Sequence, residues 1–314
     1  VSQGHAVYAS DTSFVTLTNS GTEVARLQLT HSNPVMKNNE NRFLTYGIGS
    51  ASYEISSFDE TLYSGNAENK IYTGDVASNG TYCLVTEDNG YLTTLYAYSK
   101  NNNRIYKYSF SEYYITSVAI NKDGSGCVAT GVSSDKGSAV TGVYVLDFSQ
   151  EKPVSTYKIS GDSVLDCKYL TSDTAVLVGS QASYIVKKGE KNYKTVSYED
   201  KTLSNYCFNT DTSTYTMALS RSGDGRSVAL ISYNSNGEAQ YTINTEHKAD
   251  SLSVYKGTVA ILDGNVVYGY NQNGDLLYST NSGTGSKKIV LASDYTAYIL
   301  SVNQIRFIDL DSVS

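Results

Sequence analysis

GCVATGV (126–132) is a short run of small and β-branched residues whose counterparts recur from one end of the chain to the other. They are HAVYAS (5–10), RFLTYG (42–47), TYCLVTE (81–87), TAVLVGS (174–180), TYTMALS (214–220), GTVAILD (257–263) and TAYILSV (296–302). Their starts are separated by 37, 39, 45, 48, 40, 43 and 39 residues. Each run is rich in residues that favour a pleated, buried strand, and turn residues bound it. Strands repeated at this period are the mark of a β-propeller, in which one repeat makes one four-stranded blade.

The neighbours of GCVATGV complete such a blade. ITSVAINK (115–122) precedes it as an inner strand; GVYVLDFS (142–149) and VSTYKIS (154–160) follow as third and outer strands. The same order recurs in units of approximately 1–30, 33–66, 70–110, 113–160, 162–200, 201–244, 248–281 and 286–314. Turns recur with it. TNSGTE (18–23), NSNGEA (234–239) and NQNGDL (271–276) join third to outer strands, where Asn and Gly accept the positive φ of a tight hairpin. No segment carries a helical apolar period and no linker marks a second domain. The expectation is one all-β domain over 1–314, a single propeller of eight four-stranded antiparallel blades, with seven as the alternative. Counting gives seven inner and seven outer strands against eight of each other kind. Sequence upstream of Val1 is therefore expected to complete the last blade and begin the first.

Composition narrows the function classes. Of the 314 residues 40 % are hydrophobic and only 18 % charged, and hydroxyl and amide side chains make up the polar balance, which leans towards an extracytoplasmic protein. A net charge of −7 gives no electrostatic case for nucleic acid. Lys187-Lys188 and Lys287-Lys288 fall short of a polybasic patch for anionic lipid, and no apolar run approaches a membrane span. Val1 opens directly onto a strand pattern, so a targeting or anchoring segment is expected upstream.

Cys83, Cys127, Cys167 and Cys207 are spaced 44, 40 and 40 residues apart, which is the blade period. They are expected to be unpaired thiols buried between blades, since stacked sheets lie about 10 Å apart and a disulfide needs Cα atoms within about 7 Å. His5, His31 and His247 sit in different units without metal-ligand spacing, and no phosphate-cradling motif is present, so no metal or cofactor is expected. No catalytic residue is assigned. Glu54, Asp59, Glu60, Asp309 and Asp311 are the carboxylates available for glycoside hydrolysis, and SGDGRS (222–227) is only faintly similar to the Asp-box hairpin of sialidases.

Tyrosine is the conspicuous residue, 29 copies against seven Phe and no Trp. Tyr63, Tyr106, Tyr157, Tyr241 and Tyr278 share one outer-strand position, and Tyr98, Tyr233 and Tyr270 close third strands, so these read as blade packing. Tyr113 and Tyr114, in SEYYIT (111–116), stand off the pattern and are candidates for contact with a partner. Mixed charge recurs in the connections from outer to inner strand, at Glu68 and Lys70, Glu199 and Lys201, and Glu246, His247 and Lys248. These could form a polar rim that orients a ligand, or simply solvated loops.

In its repeats the chain resembles the WD-repeat and quinoprotein-type propellers, although it lacks the Trp-Asp dipeptide, the blade-docking Trp and the vicinal cysteines of those families. TSFVTLTNSGTEV (12–24) followed by HSNPVMK (31–37) resembles, more narrowly, an uncharacterised family of bacterial propellers found mostly in anaerobic Gram-positive bacteria. That resemblance implies an extracytoplasmic, cell-surface propeller tethered by one N-terminal membrane helix, and it supplies no catalytic residues. The functional expectation is a non-enzymatic binding or scaffolding module that engages a protein, peptide or glycan through its loop faces. The alternative is a carbohydrate-active enzyme with carboxylates at the channel mouth.

Overall fold

The computed structural model describes residues 3–221 and 226–310, and every regular element among them is a β-strand. The strands form eight antiparallel sheets, each built from consecutive strands. The first holds β1 (His5–Ala9), β2 (Ser13–Thr18) and β3 (Glu23–Gln28); the second β4 (Pro34–Asn39), β5 (Arg42–Gly47), β6 (Ser52–Ser56) and β7 (Thr61–Asn66). The third holds β8 (Ile71–Val76), β9 (Tyr82–Thr86), β10 (Thr93–Tyr98) and β11 (Arg104–Phe110). β12 (Tyr114–Ile120), β13 (Gly126–Asp135), β14 (Ser138–Asp147) and β15 (Ser155–Ser160) make the fourth. β16 (Val164–Tyr169), β17 (Thr174–Gly179), β18 (Ala182–Lys187) and β19 (Lys194–Ser197) make the fifth. The sixth has β20 (Thr202–Asn209), β21 (Thr214–Ser220), β22 (Val228–Asn234) and β23 (Ala239–Thr245). The seventh has β24 (Ser251–Tyr255), β25 (Thr258–Asp263), β26 (Val266–Tyr270) and β27 (Leu276–Asn281), and the eighth β28 (Ser286–Leu291), β29 (Thr296–Ser301) and β30 (Ile305–Asp309). The fold is an all-β, eight-bladed propeller; among the described residues the first and last blades have three strands and the others four. SGDGRS lies mostly outside the described residues, as does Asp311.

Among the described residues, backbone contacts divide the chain into a unit formed by 3–18 and 23–195 and a second formed by those from 196 to 310 with the turn 19–22. In the first, β4 lies beside β8, β8 beside β12 and β12 beside β16; in the second, β20 lies beside β24 and β24 beside β28. Sheets stacked in this way bury their middle strands on both faces, so those strands read as continuous apolar runs instead of alternating. Every residue of β9 and of β17 is buried. Outer strands such as β7 lie at the rim and return to a period of two, with Tyr63 and Gly65 the more covered positions. Between the third and fourth sheets, Cys83, Val85 and Leu95 meet Val118, Cys127 and Leu146 in one cluster. Between the fourth and fifth, Val128, Val143 and Val145 meet Val164, Cys167 and Leu177 in another. A fully buried aliphatic side chain contributes roughly 1.5–3 kcal/mol relative to exposure, so these interfaces hold neighbouring blades together. All four cysteines are unpaired; Cys83, Cys127 and Cys167 are buried and Cys207 is half-buried.

Two local devices shape the blades. The hairpins after β22 and β26 are twins. Asn234 Oδ1 accepts from the Asn236 and Glu238 amides at 2.9 and 3.0 Å, and Asn271 Oδ1 accepts from the Asn273 and Asp275 amides at 2.9 and 3.0 Å. Gly237 and Gly274 take the positive φ, so asparagine serves here as an acceptor; in the matching hairpin of the third sheet an asparagine, Asn102 (φ 62°), takes the glycine's place. The second device is a one-residue bulge near the start of inner strands, between Ile71 and Thr73, Ile115 and Ser117, and Val164 and Asp166. A bulge re-aims the side chains that follow it.

The fourth sheet departs from its sequence reading. SSDKGSAV (133–140), which looks like a polar loop, extends β13 and β14 to ten residues each. Lys136 (φ 50°) and Gly137 (φ 82°) form the two-residue turn that twisted hairpins favour. Its outer part is exposed, so no apolar pattern announces it.

Candidate functional site

Tyr113 is where the off-pattern sequence signal and a cavity coincide. A groove of about 530 Å³ opens beside the connection Ser111–Tyr113, lined by Tyr108 to Phe110 of β11, Val143 and Tyr144 of β14, Pro153, and Thr156 to Lys158 of β15. Phe110 and Tyr144 are buried and form its floor, packed edge to face at 4.9 Å and 73°. Half-buried Tyr108 and Tyr113 form its sides, whereas Tyr157, paired with Val143, turns its ring to the other face of the sheet and packs on Tyr193 at 5.8 Å. Tyr113 stands edge-on to Tyr144 at 6.1 Å, and Tyr108 packs on Phe110 at 4.9 Å.

Two glycines make room for Tyr113. Gly131 and Gly142 face each other across β13 and β14. A Cβ on Gly142 would fall 2.4 Å from Tyr113 Cδ2, and one on Gly131 2.9 Å from Tyr113 Cβ, so the tyrosine lies against bare backbone. The charges are unequal. Lys158 Nζ is 3.1 Å from Asp135 Oδ2 on the extended hairpin, whereas Glu112 makes no hydrogen bond or ion pair among the described residues. Burial, and then the nearby Glu112 carboxylate, raise the phenols of Tyr144 and Tyr108 above their ordinary value.

Inner strands carry a second polar cluster. Lys37 on β4 lies 3.7 Å from Asp166 on β16, and Lys168 on β16 lies 3.8 Å from Asp75 on β8. Ser117, just past the bulge of β12, donates to Asp166 at 3.1 Å and sits 3.2 Å from Cys167 Sγ. Asp75 is buried, and its Oδ2 accepts from the Ile120 amide at 2.9 Å. Burial alone would lower the Lys37 ammonium, but the Asp166 and Asp75 carboxylates outweigh it and hold the group above its ordinary value. The sequence reading missed this cluster because charged residues inside apolar strands carry no spacing signal of their own.

The family of unknown function DUF5711 matches residues 2–310, nearly the whole chain. The chain belongs to the DUF5711 family. No curated protein is significantly similar to it in sequence. The DUF5711 fold is similar to the C-terminal WD40 domain of Sif2, with 15 % identity and a TM-score of 0.62 over 89 % of this chain and 80 % of that one. It is similar to apo AztD from Citrobacter koseri, with 9 % identity and a TM-score of 0.61 over 92 % and 87 %. A third likeness is to Chaetomium thermophilum Sqt1 bound to the N-terminus of the ribosomal protein L10, with 10 % identity and a TM-score of 0.60 over 97 % and 92 %. At these identities the likeness is one of fold.

The other residues singled out in the DUF5711 sequence are dispersed. Tyr114 opens β12 with 52 % of its surface exposed and does not line the groove. Glu68 and Lys70 are exposed beside β8, where the Lys70 carbonyl accepts from the Glu87 amide at 2.9 Å. In the unit of 196–314, Lys201 Nζ pairs with the exposed Glu199 at 3.0 Å. His247 stacks on Tyr268 at 3.5 Å with its Nδ1 3.5 Å from Asp263, the Lys248 amide donates to the same carboxylate at 3.2 Å, and Glu246 is exposed. The tyrosines locked to the repeat pack: Tyr98 stacks on Tyr82 and Tyr233 on Tyr215 across paired strands, and Tyr106 and Tyr278 are buried between blades.

His31 and Glu54 form a buried pair beside Ser52. His31 Nδ1 is 3.0 Å from Ser52 Oγ, and its Nε2 is 3.6 Å from Glu54 Oε1. Burial pushes the imidazole below its ordinary value and the Glu54 carboxyl above its own. A raised carboxyl contributes stability that is present below the unfolded value of 4.5 and lost as pH rises through the folded value. A depressed histidine does the reverse, and its contribution is lost as pH falls below 6.5 through its folded value. Glu54→Gln keeps the shape and removes only the first dependence. Its stability relative to wild type should therefore improve as pH rises above 4.5, measured as urea midpoints between pH 4 and 8. Parallel pH curves for the two proteins would contradict the assignment.

Proposed function

We propose that this DUF5711 chain is a non-enzymatic binding propeller that holds a segment of a peptide or glycan partner in the tyrosine groove. The observation that carries the reading is the groove itself, in which Tyr113, one of the two tyrosines that stand off the repeat, supplies a side wall seated on two glycines. Its volume falls within the range of about 300–1,000 Å³ usual for ligand pockets. Aromatic rings with polar tips suit sugars and extended peptides alike, because they offer large rigid contact area at low entropic cost. The Sqt1 propeller, bound to the N-terminus of another protein, is a precedent for this fold taking a chain segment as ligand. The low charge content and hydroxyl-rich surface support an extracytoplasmic setting, with a tether upstream of residue 1 as the family resemblance implies.

The test is selection of ligands on wild-type protein, from a glycan array and a displayed peptide library, followed by affinity measurement on two variants. Tyr113→Ala should weaken selected ligands at least about tenfold, which corresponds to about 1.4 kcal/mol. Gly142→Ala should do the same by evicting the ring, and should lower stability less when Tyr113→Ala is already present. Ligands that bind both variants as tightly as wild type would move the site elsewhere. Cleavage of any selected glycan would overturn the non-enzymatic reading.

A further inference from the structure

We infer that Arg306 and the turn 281–286 form an anion site, separate from the groove, for a small soluble phosphoryl compound, either inorganic phosphate or a phosphomonoester. Arg306 lies on β30, against the turn that leads from β27 into β28. Its Nη2 donates to Ser301 Oγ at 2.7 Å, to Ser286 Oγ at 3.0 Å and to the Thr284 carbonyl at 3.5 Å. All three acceptors are neutral. Among the described residues no carboxylate pairs with this guanidinium, its Nη1 makes no hydrogen bond, and its Nε is buried without an acceptor. Exposed Arg26, by contrast, is matched by Glu23.

A half-buried guanidinium without a counter-charge costs stability, because hydrogen bonds to neutral groups offset only part of its desolvation. An anion at Nη1 supplies the missing charge. The group is already oriented by its three acceptors, so little freedom is lost when the anion arrives. Gly283 (φ 83°) permits the approach: a Cβ there would fall 2.6 Å from Nη1 and 2.9 Å from Cζ, so the guanidinium lies against bare backbone. The amides of Thr284 and Gly285 (φ 73°), which follow it, donate to no group among the described residues. Successive amides in a turn with left-handed residues are a recurring anion cradle.

Charge selects the class of anion. Lys287, the extra residue where β28 bulges between Ser286 and Lys288, is exposed and makes no ion pair among the described residues. Arg306 and Lys287 thus set two uncompensated positive charges at one turn of a chain whose net charge is −7. A phosphomonoester carries a charge of about −1.5 to −2 at pH 7 and three acceptor oxygens. A carboxylate brings one charge and two oxygens. Even with Lys288 the turn falls short of the cluster of about four to eight basic residues that anionic lipid surfaces recruit, which selects a soluble compound.

Calorimetric titration of the whole chain with inorganic phosphate, glycerol 3-phosphate and acetate at pH 7.5 tests this. At least one phosphoryl compound should bind saturably at one site, at least about tenfold more tightly than acetate. Binding of inorganic phosphate alone would assign the free ion, and binding of the ester alone the monoester. Arg306→Gln should weaken the bound compound at least about tenfold, and that compound should raise the melting temperature of wild type but not of the variant. Lys287→Glu changes an exposed residue and decides the matter if Arg306→Gln does not fold; it too should weaken binding at least about tenfold. Acetate binding as tightly as the phosphoryl compounds would remove the phosphoryl group from the assignment. Unchanged binding in either variant would remove this site, and absence of saturable binding by both phosphoryl compounds overturns the inference outright.

Discussion

Asp162→Ala should destabilise the protein by about 3–5 kcal/mol, as urea denaturation would measure it, because it orphans a set of buried donors. The Asp162 side chain is 2 % exposed in the connection between β15 and β16. Its Oδ1 accepts from the amides of Ser163 at 2.7 Å and Ser180 at 2.8 Å, and from the Ser180 hydroxyl at 2.6 Å. Its Oδ2 accepts from the Gln181 amide at 3.1 Å, the Ala182 amide at 3.2 Å and the Tyr184 hydroxyl at 2.9 Å. The turn between β17 and β18 is thus wrapped around one carboxylate. Hydrogen bonds to a charged acceptor contribute about 1.5–3 kcal/mol each, and a buried donor left unpaired costs about 1–3 kcal/mol. Ala182 and Tyr184 are both buried, so water cannot replace the lost partner without opening the blade. Asp162→Asn should lose nearly as much, since its amide would point two more donors at a site made of donors. Gly179→Ala tests the same hub from outside: the added Cβ would fall 2.3 Å from Asp162 Oδ2. A loss below about 1 kcal/mol for Asp162→Ala would mean that the turn keeps its shape without the carboxylate.

Asp162 also marks the limit of what the residues alone disclose. The blade order was legible because each middle strand is buried on both faces and must be apolar throughout, a demand that repeats at the blade period. That periodicity located all thirty strands among the described residues. A residue acting once, in one connection, leaves no such trace. The one faint signal is positional: Asp250, just before β24, accepts from the Gly264 amide of the β25–β26 turn at 2.9 Å, a smaller version of the Asp162 arrangement. Aligning the two connections would have flagged both. The groove was half legible. Tyr113 stands off the repeat in the sequence, but its seat depends on Gly131 facing Gly142, and that register follows from a hairpin whose exposed arms carry no apolar pattern. The bulges of β8, β12 and β16 were not legible at all, because an extra residue in a strand leaves composition unchanged, and they help decide which charges share the inner strands.

Those charges give the second large effect. Lys168→Met should destabilise the protein by about 3 kcal/mol, and adding Asp75→Asn should restore most of the loss. Asp75 is 1 % exposed; its Oδ2 has the Ile120 amide, while its Oδ1 has no hydrogen bond and faces Lys168 Nζ at 3.8 Å. Lys168 also donates to the Asn38 carbonyl at 3.4 Å, so one ammonium joins β16 to both β4 and β8. Methionine preserves the stem and removes the charge, leaving a buried carboxylate with one amide donor and only the more distant attraction of Lys37. Breaking a buried pair from one side is costly for that reason, whereas replacing both partners with uncharged groups of similar size is often neutral. Asparagine keeps an oxygen for the Ile120 amide, so the double variant isolates charge from hydrogen bonding. A Lys168→Met protein within about 0.5 kcal/mol of wild type, or a double variant no better than the single, would show that solvent already screens Asp75. A large coupling would instead establish that this corner of the fold is held by a desolvated charge network, poised beside the blade interfaces that carry the groove.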